Sequence, residues 1–192
     1  MELSYYKRDK VRENLNKFYK LATEEDKHQG KYWYHQAHEF CARKAVEYGF
    51  NIETVTSVLS ALSPANKWER NLIDTDTVLN AVREGKAPED VKVCTYNKNK
   101  EKAFNIAQLC GSIDASSRKT FAFVQNIAYL DGDYVTIDRW HLRASFNKMH
   151  SIKINNTIYD ELQKITIQEA AKEGLKGFEY QAIIWEAIRN GA

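Results

Sequence analysis

The chain has 192 residues with 28 Lys+Arg against 26 Asp+Glu, and 43% of it is hydrophobic. That is the balance expected of a globular domain able to bury a core. No apolar run approaches the roughly 20 residues that span a bilayer, so no membrane association is expected. The three cysteines, Cys41, Cys94 and Cys110, are widely spaced and odd in number, which argues against a disulfide framework and for a reducing, cytoplasmic setting.

Helical periodicity runs through most of the chain, broken by only two prolines and eight glycines. The polar stretch "MELSYYKRDKVRENLNKFYK" is helical in period, not a signal peptide, and opens a helix over 5–22. Helices follow over 31–48, 52–62, 69–83, 98–110, 117–129, 139–149, 157–163, 167–173 and 178–190. Asn51 stands as a cap before "IETVTSVLSAL". Thr166 and Glu169 have the spacing of a capping box, with Gly174 as a stop. The one strand candidate is "YVTI", 134–137, after the Asp-Gly turn. It pairs with 127–130 as a small hairpin or is a short connection between two helices. The fold class expected is all-α, in a single domain over 1–192 without a sharp internal boundary.

Charge is uneven. Residues 92–148 carry 9 Lys+Arg against 5 Asp+Glu, a local excess that fits a polyanion partner or an ordinary surface fluctuation. "YHQAHEFC" sets His35, His38 and Cys41 three apart on one helical face. It lacks the second half of a metal site, so a wet helix face is the plainer reading and no metal or other cofactor is expected.

Four stretches occur in a telling order: "VLSALSPANKWERNLIDTDTVL", "TYNKNKEKAFNIAQLC", "SSRKTFAFVQNIAY" and "VTIDRWHLRAS". This succession resembles the helix-hairpin-helix DNA glycosylase superfamily, closest to its endonuclease III branch, over about residues 50–150. Leu59, Ser60 and Ala61 match an "LSAQ"-like element, with Leu62 where a base-stack-filling glutamine often stands. Tyr96, Asn97, Lys102, Ala103, Asn105 and Ile106 match a "YNxKAxNI"-like helix. Lys119 and Thr120 match the hairpin that carries a catalytic lysine. Ile137, Asp138 and Arg143 match the segment that carries a catalytic aspartate. The pattern departs in two places. No "GxG" precedes Lys119, so the hairpin is shortened or degenerate, and Arg139 and Trp140 replace the residues that usually follow the aspartate. No four-cysteine set follows, so no iron–sulfur cluster is expected.

The resemblance implies a monomeric enzyme that binds duplex DNA, flips out a damaged or modified base and cleaves its glycosidic bond, with or without lyase activity. Asp138 would stabilise charge at the sugar and Lys119 would attack C1′. The missing hairpin glycines would leave phosphate contacts to Ser116, Ser117 and Arg118, with Arg139, Arg143, Asn66 and Lys67 beside them. Leu62, Trp68, Trp140 and His141 would stack or line the pocket. Each residue also has a plainer reading: Asp138 as a helix cap, Lys119 as a solvated side chain, the tryptophans as core edges, the arginines as surface ion pairs. Two other functions stay open, a base-modifying enzyme on the same fold and a nucleic-acid-binding protein without turnover.

Overall fold

In the computed structural model, residues 5–148 and 153–191 are described, with the side chains of residues 5 and 6 left aside. The fold is all-α. Among the described residues there is no β-strand, and the helices are α1 (Tyr5–Leu21), α2 (Glu24–Tyr48), α3 (Ile52–Leu62), α4 (Trp68–Arg83), α5 (Asn97–Gln108), α6 (Arg118–Tyr129), α7 (Arg139–Phe146), α8 (Asn156–Lys172) and α9 (Gly177–Arg189), with a 3₁₀ turn at Pro88–Asp90.

The chain divides into two compact units, one of residues 1–36 and 129–192, the other of residues 37–128. One boundary lies inside α2 and the other at the end of α6. No composition shift marks either, because an unbroken helix crosses the first.

In the first unit, α1 packs on α7, α8 and α9, and α9 also packs on α7 and α8. Val11 and Leu15 of α1, Leu142 of α7, Leu162 and Ile165 of α8, and Tyr180 and Ile184 of α9 form its core with Val135 and Ile137. A polar knot lies beside that core. Glu169 is buried, yet its carboxylate accepts from Arg12 at 2.5 Å, Asn16 at 2.8 Å and Lys172 at 2.7 Å. In the second unit α3 packs on both α4 and α5, and α4 on α5. Val55, Val58, Leu59 and Leu62 of α3 are buried there, as are Val78, Leu79 and Phe104.

Three expected elements change. The helix expected from 31 begins at Glu24. A reciprocal capping box starts it: Thr23 N–H donates to Asp26 Oδ2 at 2.9 Å, and Asp26 N–H to Thr23 Oγ1 at 3.1 Å. Gly30, which resembles a breaker in the sequence, instead marks a close helix crossing. A Cβ there would lie 2.5 Å from Ile183 N and 2.8 Å from Ala182 C. The edge-on pair Tyr34–Phe178, with centroids 5.2 Å apart, seals the same contact.

The helices expected over 157–163 and 167–173 are one helix, α8. Asn155 caps it by accepting from Ile158 N–H at 2.9 Å. Thr166 is no cap: its Oγ1 donates to Leu162 O at 2.8 Å in mid-helix. Gly174, with φ +69°, does follow the helix end. The hairpin does not form, because 127–129 belong to α6 and 134–137 belong to no strand. Asn51 caps α3 as expected, accepting from Thr54 N–H at 2.7 Å. The helix expected to reach 149 ends at Phe146, followed by Asn147 in the left-handed region; residue 149 lies outside the described residues.

Gly30→Ala should therefore destabilise the fold by about 1–3 kcal/mol, through overpacking against backbone that cannot give way. A denaturant titration measures it, and an unchanged midpoint would refute the crossing.

Acid should also weaken the first unit. His141 is buried, and burial alone pushes its imidazole down to about 4. Burial pushes Glu169 up, but hydrogen bonds from Lys172, Asn16 and Arg12 bring it below its ordinary value. Both folded values are depressed, so the unfolded chain binds more protons as pH falls. The histidine contribution is complete above its unfolded value of about 6.5 and is lost as pH falls toward 4. The glutamate contribution is lost below that. The melting temperature should decline steadily from pH 7 to pH 4, and His141→Gln should flatten the upper part of the decline.

Candidate nucleic-acid site

Asp138 sits at the N-cap of α7, partly exposed. Its Oδ1 accepts from Trp140 N–H at 3.0 Å and His141 N–H at 2.8 Å. The carboxylate is thus fixed to the helix N-terminus, where the dipole also favours negative charge. The β-branched run before it forms no strand and ends in a tight three-residue turn, in which Asp138 N–H donates back to Thr136 O at 2.9 Å.

The run before Asp138 is held by side chains. Tyr159 Oη donates to Val135 O at 2.9 Å and accepts from Ile137 N–H at 3.2 Å. Gln163 Oε1 accepts from Val135 N–H at 3.0 Å. Tyr34 Oη lies 3.1 Å from both Thr136 Oγ1 and Gln181 Oε1.

Along α7, Trp140 is partly buried, with the guanidinium carbon of Arg143 at 4.6 Å and that of Arg139 at 5.4 Å from its ring centre. These are cation–π distances, so the ring and the two cations form one surface. His141 departs from the expectation of a pocket residue: it is buried, and its Nε2 lies 2.9 Å from Thr166 Oγ1. Because Thr166 donates to Leu162 O, His141 Nε2–H must be the donor, which leaves Nδ1 bare. The ring ties α7 to α8 and presents no face to a base.

In the second unit, Lys119 is exposed in the first turn of α6. The turn before α6 differs from the phosphate grip expected of Ser116 and Ser117. Asp114 Oδ1 accepts Ser116 N–H at 2.8 Å, and Asp114 O accepts Ser117 N–H at 3.0 Å. Both backbone donors are engaged by Asp114, and hydrogen bonds from the Ser116 side chain and N–H hold its carboxyl below the usual range. Arg118 is half-buried.

The loop after α3 is pinned by a carboxylate that the sequence reading missed. Asp74 is completely buried and accepts from Arg70 Nε at 2.8 Å, Asn66 Nδ2 at 2.9 Å and Cys94 N–H at 2.8 Å. Thr95 Oγ1 donates to Pro64 O at 2.8 Å. Ala65 takes φ +60°, a left-handed conformation that this pinning maintains. Lys67 is exposed and Trp68 partly buried. Leu62, expected near a base stack, is fully buried in the core, so it cannot fill a gap in DNA.

The histidine stripe is used for structure. His35 Nε2 lies 3.2 Å from Glu179 Oε1, while His38 Nδ1 lies 2.8 Å from Ile127 O. Cys41 is buried, and burial pushes its thiol up to about 12, which disfavours the thiolate a metal needs. Among the described residues no group of three or more His, Cys, Asp or Glu could hold a metal ion, and no helix is long and apolar enough to cross a membrane.

The candidates fall into two sets. Asp138, Arg139, Trp140, His141 and Arg143 belong to the first unit; Leu62, Asn66, Lys67, Trp68, Ser116, Ser117, Arg118 and Lys119 belong to the second. The Arg70–Asp74 spacing of four was a legible signal for Asp74. Nothing in the sequence marked Tyr159 or Gln163.

A family model matches residues 2–192, almost the whole chain. The chain belongs to DUF7178, a family of unknown function. No curated protein and no solved structure matches it.

The cap geometry makes two substitutions separable. Asp138→Asn keeps an amide oxygen where Oδ1 sits, so the melting temperature should stay near that of the wild type. Asp138→Ala removes the acceptor and should cost about 1 kcal/mol. Thermal unfolding of the pair checks it: equal stabilities would mean that the cap contributes nothing.

Proposed function

We propose that the chain is a DNA glycosylase of the helix-hairpin-helix type, acting on a damaged or modified base. The reading rests on the ordered resemblance of the four sequence stretches. The structural observation that supports it best is the fixed carboxylate of Asp138, bonded through Oδ1 to two backbone N–H groups. Cleaving an N-glycosidic bond builds positive charge on the sugar, as in glycoside hydrolysis, and a carboxylate held in place stabilises that charge without reorganising. Lys119 supplies an amine that, when neutral, attacks C1′, displaces the base and forms a Schiff base with the opened sugar. The joined surface of Trp140, Arg139 and Arg143 fits a base face flanked by phosphates.

A second reading is a nucleic-acid-binding protein without turnover, or a base-modifying enzyme on the same fold. What favours it is Asp114, whose carboxylate and backbone carbonyl engage the Ser116 and Ser117 N–H groups that the resembled hairpin would offer to phosphate.

The test is paired. Duplexes with different modified bases are assayed for base release and for covalent trapping by borohydride. Asp138→Asn should lower base release roughly 10²–10³-fold with DNA binding unchanged. Lys119→Gln should abolish trapping and leave base release wherever water is the nucleophile. Base release by Asp138→Asn at the wild-type rate would reduce the aspartate to a helix cap. Binding without release from any duplex would favour the second reading.

A further inference from the structure

We propose that Tyr159 is a positioning residue for Asp138, serving with Gln163 to pair the buried backbone of Val135 and Ile137 just before it. The inference deepens the glycosylase reading and rests on it for its kinetic consequence.

Three backbone groups before Asp138 are met by side chains of α8: Val135 N–H, Val135 C=O and Ile137 N–H. Here Gln163 Oε1 takes the first at 3.0 Å, and the Tyr159 hydroxyl takes the other two at 2.9 and 3.2 Å. Tyr159 and Gln163 are four apart on α8, hence on one face of that helix. The tyrosine hydroxyl both donates and accepts.

Asp138 follows Ile137 directly. The backbone position of Ile137 therefore sets where α7 begins and where Oδ1 meets Trp140 and His141. Val135 and Ile137 are both buried, so water cannot replace a lost partner cheaply. Phenylalanine at 159 keeps the ring and loses both bonds.

The experiment has two arms on the full chain. Amide hydrogen exchange reads the geometry. In Tyr159→Phe, exchange at Ile137, Trp140 and His141 should accelerate about tenfold, the scale of one lost hydrogen bond, with the α9 amides unchanged. Single-turnover base release reads the consequence: the rate should fall about tenfold with DNA affinity unchanged, and Tyr159→Phe should add no further loss in the Asp138→Asn background. Gln163→Ala should give a milder version of both effects and keeps the test open if Tyr159→Phe does not fold. Wild-type exchange at Trp140 and His141 in the folded variants would overturn the proposal. So would a full additional loss of rate in the double variant. A wild-type chain that releases no base from any duplex sinks the glycosylase reading alone, and the exchange arm then decides the clamp.

Discussion

A buried backbone outside any helix must still have its N–H and C=O groups paired, and residues 135–137 are buried and belong to no helix or strand. That constraint organises the first unit. Val135 and Ile137 are part of its core, so the segment cannot be moved out to water. The backbone groups of Val135 and Ile137 are met by Tyr159 and Gln163 of α8, while Tyr34 of α2, which also bonds Gln181 of α9, holds the side chain of Thr136. The buried His141–Thr166 bond adds a further tie between α7 and α8. The same burial disfavours protonation of His141, since an imidazole there cannot take a proton without carrying buried charge.

Helix class and most helix positions were legible because they depend on local periodicity and caps. Asn51 and Gly174 act as their residue types suggest. The misreadings came where distant structure overrides local preference. Gly30 continues a helix because the Ile183 backbone needs the space a side chain would fill. Thr166 and Glu169 have cap spacing, yet both are buried and engaged across the unit, by His141 and by Arg12, Asn16 and Lys172. The β-branched run at 134–137 forms no strand, and its backbone is met by side chains instead. What the sequence could not state was who pairs with it, because a tyrosine and a glutamine four apart on a helix look like ordinary residues.

The candidate site was legible at Asp138, whose capping role follows from its place between a β-branched run and a helix. It was less legible at Leu62 and His141, where a motif position suggests contact with a ligand and burial assigns the side chain to the core. The hairpin region is the instructive case. Missing glycines pointed to a changed phosphate grip, and serines are natural replacements. Asp114 lies just upstream and has the residue type that closes a local turn on the N–H groups that follow. With those donors engaged and a carboxylate beside them, a phosphate at this turn would meet negative charge.

Two aspartates at two helix starts thus do opposite things to their surroundings. Asp114 closes a turn and leaves the helix after it with an exposed lysine. Asp138 opens a helix, bonded to two of its backbone N–H groups. A carboxylate that must stabilise a developing charge gains from being immobile, because any reorganisation at that moment costs rate. An amine that must reach a carbon, bond to it and later release it gains from a flexible four-carbon stem. The doubly bonded Asp138 and the exposed, first-turn Lys119 are what the proposed roles would ask of each. The turn before Lys119 is anchored by Asp114 and, just upstream, by Ile113 N–H donating to Ser57 Oγ at 3.2 Å.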